Sequence, residues 1–379
     1  MNLFVELFEH LTQIAPIDFL KMAIMWAIGG TLIFLAIKKE MEPTLLLPMG
    51  FGAILVNLPF SGAVTQIYDG LAEIGPIDVL FNAGIANELF PLILFIGIGA
   101  MIDFGPLLSN PKLMLFGAAA QFGIFFTLGA AVLLGFELKD AASIAIIGAA
   151  DGPTSIFVAN YLHSNYIGAI IVAAYSYMAL VPIVQPPVIK LLTTKKERMI
   201  RMPYEPKSVT KLTRILFPIF VTMITGLAAP RAVALIGFLM FGNLLRECGV
   251  LNALSESAQK VLANLITLLL GLTVATKMQA EAFLNVQTLL ILGLGLVAFI
   301  FDTAGGVLFA KLLNLFLKKK VNPMIGAAGI SAFPMSSRVV HKMGLDEDPY
   351  NFLLMHSAAA NVSGQIASVI AGGLILGLL

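Results

Sequence analysis

Long, mainly apolar runs extend through most of the sequence, and several are long enough to cross a lipid bilayer. The runs at residues 17–37 and 166–192 both exceed the roughly 20 residues that a helix needs to span the hydrocarbon core. Only 12% of the residues are charged and 59% are hydrophobic, whereas soluble domains contain about 25% charged residues. These features predict an all-α polytopic membrane protein. They exclude cytosolic enzymes, secreted disulfide scaffolds and nucleic-acid-binding proteins.

The distribution of charge divides the chain into four parts. Residues 1–16 place apolar side chains at helical spacing before a proline, which predicts a short interfacial helix. Residues 194–214 carry seven Lys and Arg side chains against two acids, and the positive-inside rule assigns such a loop to the cytoplasm. Membrane sequence remains at residues 17–193 and 215–379. We expect about nine to eleven membrane elements, because several runs are too short to span or are cut by Gly and Pro.

A short motif occurs once in each half of the chain. Residues 147–150, Ile-Gly-Ala-Ala, recur as residues 325–328, and His163 and His341 follow the two copies at the same distance. Each copy precedes a Pro-containing break and then a long apolar run. This duplication is similar to that of secondary transporters, where broken helices from inverted repeats meet near the bilayer midplane and bind ions. We therefore predict two inverted repeats, with broken helices at residues 151–153 and 322–334.

Asp151 is the clearest site residue, because an ionisable group at membrane depth is costly and marks function by default. Gly152 and Pro153 follow it directly, and proline removes a backbone donor and disfavours helix at the preceding residue. The expected break places backbone carbonyls beside the carboxylate and the hydroxyl of Thr154. Oxygen ligands of this kind suit a hard cation such as Na⁺. A helix cap near the interface is the structural alternative.

The second predicted break has no acid at the aligned position, which Gly329 occupies. It supplies neutral oxygens from Asn322 and Ser331, and Arg338 follows. One carboxylate opposite neutral oxygens predicts an alkali-cation site, whereas Zn²⁺ or Mg²⁺ would require more His or carboxylate ligands. Asn322 has an equally weighted structural interpretation, as the cap of a helix.

Other polar residues inside apolar runs have less certain roles. Tyr177 is either a packed core residue or a proton carrier, Asp302 is a second candidate site residue, and Asp103 is expected at the interface. The last helix is expected to hydrogen-bond to its neighbours through four polar residues: Asn361, Ser363, Gln365 and Ser368.

Three motifs taken together point to a known family. They are Phe95–Pro111 with Asp103-Phe-Gly-Pro inside it, Gly148–Thr154, and the segment from Asn322 to Val340. This combination resembles the membrane-bound β subunit of sodium-pumping biotin-dependent decarboxylases, and the likeness covers essentially the whole chain. Members of that family act on oxaloacetate, methylmalonyl-CoA, glutaconyl-CoA or malonate.

The resemblance implies a division of labour among subunits. A carboxyltransferase α subunit moves the substrate carboxylate onto biotin, which a separate biotin-carrier subunit holds. The β subunit then decarboxylates carboxybiotin at the cytoplasmic side, consumes a proton and exports Na⁺ across the bacterial inner membrane. The resemblance also implies a homotrimer of β subunits with a small membrane γ subunit. An elevator-like arrangement of scaffold and core domains belongs to the same expectation.

The functional residues of the family fall on matching residue types in this chain. The resemblance implies three catalytic residues: Asp151, Tyr177 and Arg338. It implies carboxybiotin binding by Arg338 and Ser331. The expected Na⁺ ligands are Asp151, Thr154, Asn322, Gly326 and Ser331.

Two other functions remain open at this point. A Na⁺-coupled carboxylate symporter or a Na⁺/H⁺ antiporter would share the repeats and the midplane acid, and it would need no biotin partner. A purely structural membrane subunit would tolerate alanine at Asp151. Within the resembled family, the compact length favours methylmalonyl-CoA or glutaconyl-CoA over oxaloacetate as the substrate of the complex.

Overall fold

The computed structural model describes residues 14–68, 70–204 and 208–379, and the predicted interfacial helix at residues 1–16 lies almost wholly outside them. Seven helical stretches of the described residues are long and apolar enough to cross a membrane, and two of them, Pro111–Leu133 and Asn252–Met278, consist of consecutive shorter segments. Helices Pro76–Gly84 and Leu89–Met101 form a pair bent by 64° that can count as an eighth span. The prediction of an all-α polytopic membrane protein is confirmed. The estimate of nine to eleven elements exceeds this count because it included half-helices.

The elements are numbered in chain order. The first part of the chain forms α1 (Pro16–Lys38), α2 (Pro43–Val56), β1 (Gln66–Tyr68), β2 (Leu71–Glu73) and α3 (Pro76–Gly84). The two strands pair antiparallel, with Gln66 opposite Glu73. This hairpin is an exception to the all-α expectation, and β2 is fully exposed.

Short helices separated by tight breaks follow. They are α4 (Leu89–Met101), α5 (Gly105–Ser109), a 3₁₀ turn (Pro111–Leu113), α6 (Met114–Ala120), α7 (Phe122–Leu133), α8 (Leu138–Ala145), a 3₁₀ turn (Ile146–Ala149) and α9 (Gly152–Tyr161). Next come α10 (Ile167–Leu192), α11 (Lys195–Arg198), α12 (Lys211–Ala228), a 3₁₀ turn (Pro230–Ala232) and α13 (Val233–Glu247).

The last part of the chain contains the longest helix and the second set of broken segments. Its elements are α14 (Asn252–Ser257), a π turn (Ala258–Leu262), α15 (Ala263–Val274), a 3₁₀ turn (Ala275–Met278), α16 (Ala280–Phe283), α17 (Val286–Phe316), α18 (Met324–Ala327), α19 (Met335–Glu347) and α20 (Leu354–Leu378).

The chain divides into two compact units. One contains the described residues up to Phe90 together with Asn264–Leu290, and the other contains Pro91–Ala263 and Ile291–Leu379. All the site residues expected from the sequence lie in the second unit. Compact units and sequence repeats are different divisions of a chain, so the two repeats at residues 17–193 and 215–379 stay a prediction.

Close helix contacts in the second unit depend on glycines that face each other. A Cβ built on Gly306 of α17 would overlap the carbonyl of Gly326 of α18, and a Cβ on Gly326 would overlap the carbonyl of Gly306. Membrane helices use small residues in this way, because close backbone approach increases van der Waals packing where no hydrophobic effect drives association. The position of the second broken helix therefore depends on both glycines.

We expect Gly306→Ala to destabilise the protein, because its methyl group would collide with backbone rather than with a mobile side chain. Overpacking of this kind costs about 1–3 kcal/mol in free energy of unfolding. Thermal unfolding in detergent measures the effect as a lowered midpoint. Gly293→Ala in the same helix is the matched control, since nothing lies within 4 Å of a Cβ built there. Equal unfolding midpoints for the two variants would contradict this account.

Candidate functional site

The first helix break places Asp151 at the N-terminus of α9. Ala150 adopts a left-handed conformation with φ of 52°, which costs about 1–2 kcal/mol in a residue other than glycine. The Asp151 carboxylate accepts hydrogen bonds from the Thr154 amide at 3.3 Å, from the Thr154 hydroxyl at 2.8 Å and from the Ser368 hydroxyl at 2.9 Å. Only 3% of Asp151 is exposed. The break therefore holds a buried carboxylate between α9 and α20.

The second helix break lies directly against the first. Ser331 donates both its amide and its hydroxyl to the carbonyl of Ala149, at 3.1 and 2.7 Å. The carbonyl of Ser331 accepts from the Gln365 side chain, and the carbonyl of Ile330 accepts from Asn361 at 2.7 Å. Backbone groups freed by the two breaks thus find partners within the protein, as non-helical backbone at membrane depth requires.

Three buried oxygens around these breaks have no hydrogen-bond partner among the described residues. They are Oδ1 of Asn361, Oε1 of Gln365 and the hydroxyl of Tyr175. The ring of Tyr175 fills the space that a Cβ at Gly152 would occupy, so this tyrosine lies beside Asp151. A buried polar atom without a partner costs about 1–3 kcal/mol. A bound cation would remove that cost, since oxygen atoms are the ligands that hard cations prefer.

The predicted site residues Asp151, Thr154 and Ser331 therefore come together, because Ser331 bonds to the residue two positions before Asp151. Their oxygens, with those of α20, can supply one negative charge and several neutral ligands. Asn361, Gln365 and Ser368 were predicted only to join helices, and the contacts above confirm that prediction.

Tyr177 lies apart from these oxygen atoms. Its hydroxyl donates to the carbonyl of Leu292, and its ring packs against Gly295 of α17. It belongs to an apolar cluster that also contains Ile147, which precedes the first break. This environment matches the core-packing interpretation, and the proposed proton role stays a prediction.

Asn322 and Gly326 serve structural contacts. The Asn322 amide donates to the carbonyls of Arg198 and Ile200 at 2.7 and 2.9 Å, and its oxygen accepts from the Met324 amide at 3.1 Å. Gly326 makes the close contact with α17 already described. Asn322 thus ties the second broken helix to the basic segment that follows α10, and its bond to the Met324 amide agrees with its interpretation as a cap. Its expected role as a Na⁺ ligand stays a prediction.

Ion pairs hold the basic segment that follows α10 against the C-terminal end of α19. Arg198 pairs with Glu347 at 2.6 Å. Arg201 donates to Asp348 from its Nη2 atom at 3.0 Å. Hydrogen bonding to Arg201 lowers the pKa of the Asp348 carboxyl. Asn351 donates to the carbonyl of Arg198 at 2.8 Å. The described residues 198–201 of the segment are therefore tied to the C-terminal end of α19.

Arg338 lies on α19 with its side chain exposed. No ion pair occupies its guanidinium within the described part of the chain. A free guanidinium can bind a carboxylate with two parallel hydrogen bonds. Arg338 is thus available to an incoming carboxylate, whereas Ser331 is buried and bonded to Ala149.

The other intramembrane acids have identifiable partners. Asp302 is fully buried, and one of its oxygens accepts from the amides of Gly123 and Ile124 at the start of α7. Asp103 pairs with Arg214 at 3.3 Å and Arg246 at 3.9 Å. Asp302 therefore caps α7 through one oxygen, while its other oxygen is buried without a partner among the described residues. Asp103 belongs to a charged cluster, and its expected place at the interface stays a prediction.

Tyr175 and the oxygens of α20 were missed as site residues. A signal for α20 existed, because residues 361, 365 and 368 share one face of a helix at 3.6-residue periodicity. Nothing local distinguished Tyr175 from Tyr177, since both lie in the same apolar run.

Comparison with known proteins adds to this geometry. The family described as the Na⁺-transporting oxaloacetate decarboxylase beta subunit matches residues 21–379. The chain is 48% identical to the methylmalonyl-CoA decarboxylase subunit beta of Propionigenium modestum, covering 94% of each chain. It is 49% identical to the glutaconyl-CoA decarboxylase subunit beta of Acidaminococcus fermentans, covering 94% of this chain and 92% of the relative.

A third relative widens the range of substrates. The oxaloacetate decarboxylase beta chain of Klebsiella pneumoniae is 46% identical, and the match covers 93% of this chain and 94% of the relative. Relatives named for three different acids are thus about equally similar to this chain. The chain belongs to the β-subunit family of the Na⁺-transporting decarboxylases.

Proposed function

We propose that this chain, a multi-pass β subunit of the bacterial cytoplasmic membrane, decarboxylates carboxybiotin and couples the reaction to Na⁺ export. The single observation that carries the proposal is the buried carboxylate of Asp151 between two helix breaks. Around it lie buried oxygens for which the described residues provide no hydrogen-bond donor. A permanent charge in that position needs a counterion, because an uncompensated charge at membrane depth is costly.

The Na⁺ site is centred on Asp151, Thr154 and Ser331, in agreement with the family resemblance. The geometry supports adding the side-chain oxygens of Asn361, Gln365 and Tyr175. Asn322 and Gly326, which the resemblance also names, act by positioning the second break rather than by direct contact with the ion. This assignment follows from the bonds of Asn322 to the cytoplasmic segment.

The cytoplasmic end receives the carboxybiotin. Its N–CO₂⁻ bond breaks, CO₂ leaves, and the ureido nitrogen takes up one proton. Arg338 holds the carboxylate before it leaves, and Tyr177 takes part in proton handling. Ser331 acts on carboxybiotin only through the position of the break, since its hydroxyl is bonded to Ala149.

The energetic requirement is modest for each ion. Moving one Na⁺ outward against about 100 mV costs about 2.3 kcal/mol in the electrical term. Decarboxylation can supply this, because release of CO₂ makes the step irreversible. Coupling requires that carboxybiotin is decarboxylated only when Na⁺ moves, and that Na⁺ moves only when carboxybiotin is decarboxylated.

Two inverted repeats and an elevator-like movement are the architecture that we propose for this coupling. Reciprocal contacts support the repeats. Ala149 and Ala327 occupy equivalent positions in the two copies of the motif, and each carbonyl accepts from a side chain of the other half. Ser331 donates to Ala149 at 2.7 Å, and Gln185 donates to Ala327 at 2.8 Å. The second compact unit, which holds the whole site, is the candidate mobile core.

The complex that contains this chain includes a biotin-carrier subunit, a carboxyltransferase α subunit and a small γ subunit, with the β subunit as a homotrimer. Its acyl substrate is methylmalonyl-CoA or glutaconyl-CoA. The similarity to relatives named for both substrates supports this choice. Sodium-22 uptake into vesicles that contain the complex, tested with each acid, would identify the substrate.

We expect Asp151→Asn to abolish Na⁺-dependent decarboxylation while carboxyl transfer onto biotin continues. The amide keeps the shape of the carboxylate and removes the charge that a cation needs. Sodium-22 uptake into vesicles measures Na⁺ transport, and ¹⁴CO₂ release measures decarboxylation.

Asp103→Asn is the control, because that acid lies in an exposed ion-pair cluster. Avidin should block uptake in the wild-type complex and in this control. Normal Na⁺ pumping by the Asp151 variant would overturn the proposed site.

We expect Ser368→Ala to weaken Na⁺ activation, because its hydroxyl holds one oxygen of Asp151. Loss of a hydrogen bond to a charged group should raise the half-saturating Na⁺ concentration about tenfold. The measurement is decarboxylation rate against Na⁺ concentration. Ser363→Ala is the matched control in the same helix, since Ser363 bonds to the carbonyl of Leu113 at 3.2 Å. Equal shifts in the two variants would argue against a local effect.

Substitutions of Tyr175 and Tyr177 should have different effects on the kinetics of decarboxylation. Tyr175→Phe removes an unpartnered oxygen beside Asp151, so we expect a higher half-saturating Na⁺ concentration and an unchanged maximal rate. Tyr177→Phe removes a hydroxyl outside the ion site, so we expect a lower rate at saturating Na⁺ and an unchanged Na⁺ requirement. The same rate titration tests both variants. The reverse pattern would exchange the two roles.

A further inference from the structure

A cleft between α10 and α19 is not used by the ion site. Its volume is about 390 Å³, which falls within the roughly 300–1,000 Å³ typical of small-ligand pockets. Apolar side chains form its walls: Pro182, Pro186, Val339 and Met343. A flat, partly apolar bicyclic ring with a polar edge fits a space of this size and composition.

The cleft also carries positive charge. Lys190 of α10 and Lys342 of α19 both line it, both are exposed, and neither has an ion-pair partner among the described residues. Two acids line it as well. Glu347 is neutralised by Arg198 at 2.6 Å, which leaves Asp346 against two ammonium groups. The net charge favours an anionic ligand.

Arg338 connects this cleft with the proposed reaction. It precedes Lys342 by four residues on α19, so both side chains lie on one face of the helix. Lys342 lies near the cytoplasmic end of α19, and Arg338 lies one helical turn farther from that end. Neither side chain has an ion-pair partner among the described residues, so the two form a line of available positive charges. A carboxylate could pass from the first to the second without losing a positive partner.

The cleft opens at the cytoplasmic end of both helices. The C-terminus of α10 leads directly into the basic segment at residues 194–214, and Arg198 of that segment pairs with Glu347 near the end of α19. A soluble carrier protein would reach the membrane from this side.

The prolines add hydrogen-bond acceptors to the cleft wall. Pro186 has no amide hydrogen and therefore leaves the carbonyl of Pro182, four residues earlier, without its usual helical donor. A ureido ring that carries a carboxylate on one nitrogen retains an N–H on the other. Such a ring matches a cleft lined by two ammonium groups and by Pro182, whose carbonyl lacks its helical donor.

We propose that this cleft is the entry site for carboxybiotin, and that Lys190 and Lys342 bind its carboxylate before Arg338 receives it. The inference rests on the proposed function and adds two binding residues to it. An anionic lipid headgroup is the alternative occupant of a lysine-lined cleft. The carrier is favoured because the cleft has apolar walls and leads towards Arg338.

The test uses the whole purified complex, loaded with ¹⁴C-labelled carboxybiotin in the absence of Na⁺. Saturating Na⁺ is then added, and ¹⁴CO₂ release is followed over a single turnover. Lys342→Gln and Lys190→Gln should each slow release about tenfold, the effect of losing one charge-assisted hydrogen bond. Loading of biotin and the half-saturating Na⁺ concentration should stay unchanged. Lys195→Gln, an exposed lysine outside the cleft, should release at the wild-type rate.

Lys342→Arg should restore release, since it keeps the charge and shows that the fold is intact. Wild-type release rates in both Gln variants would overturn the proposed entry site. The proposal would also fail if the variants released CO₂ slowly and anionic lipid added to the detergent restored the wild-type rate. If the wild-type complex itself shows no Na⁺-triggered release, the proposed function fails, and that result differs from any variant-specific effect.

Discussion

The bond between Ser331 and the carbonyl of Ala149 joins two helix breaks that neither half of the chain could stabilise alone. Backbone groups at membrane depth cost several kcal/mol each when no partner satisfies them. Ser331 donates both its amide and its hydroxyl to the carbonyl of Ala149. Asp151 follows Ala149 by two residues. The position of the proposed ion site therefore follows from a requirement of the backbone.

Helix α20 completes this arrangement. The side-chain nitrogens of Asn361 and Gln365 donate to carbonyls of the second break, and the oxygens of the same amides have no donor among the described residues. Ser368 on the same face holds the carboxylate of Asp151. One helix thus both stabilises the irregular backbone and supplies neutral oxygens for the proposed Na⁺ site. Structural and functional roles are combined in the same side chains.

The opposite end of the second unit is held by charge. Ion pairs and the side-chain amide of Asn322 fix the basic segment that follows α10 against α19 and the second break. Glycine contacts between α17 and α18 set the depth of that break. Residues such as Asn322 and Gly326 therefore influence the proposed site through position. A residue such as Asn322 can thus affect the proposed site although its own side chain is already bonded elsewhere.

The sequence by itself determined the membrane class and the helix break at Asp151, because these depend on local properties: apolar length, and proline after an acid. Tertiary structure decided which oxygens surround Asp151. Ser368 lies 217 residues away, and Tyr175 differs from Tyr177 only in the face of the helix that it occupies. Periodicity predicts a face but not the neighbour that it meets, since helix crossings depend on backbone approach at glycines and on bonds between distant breaks.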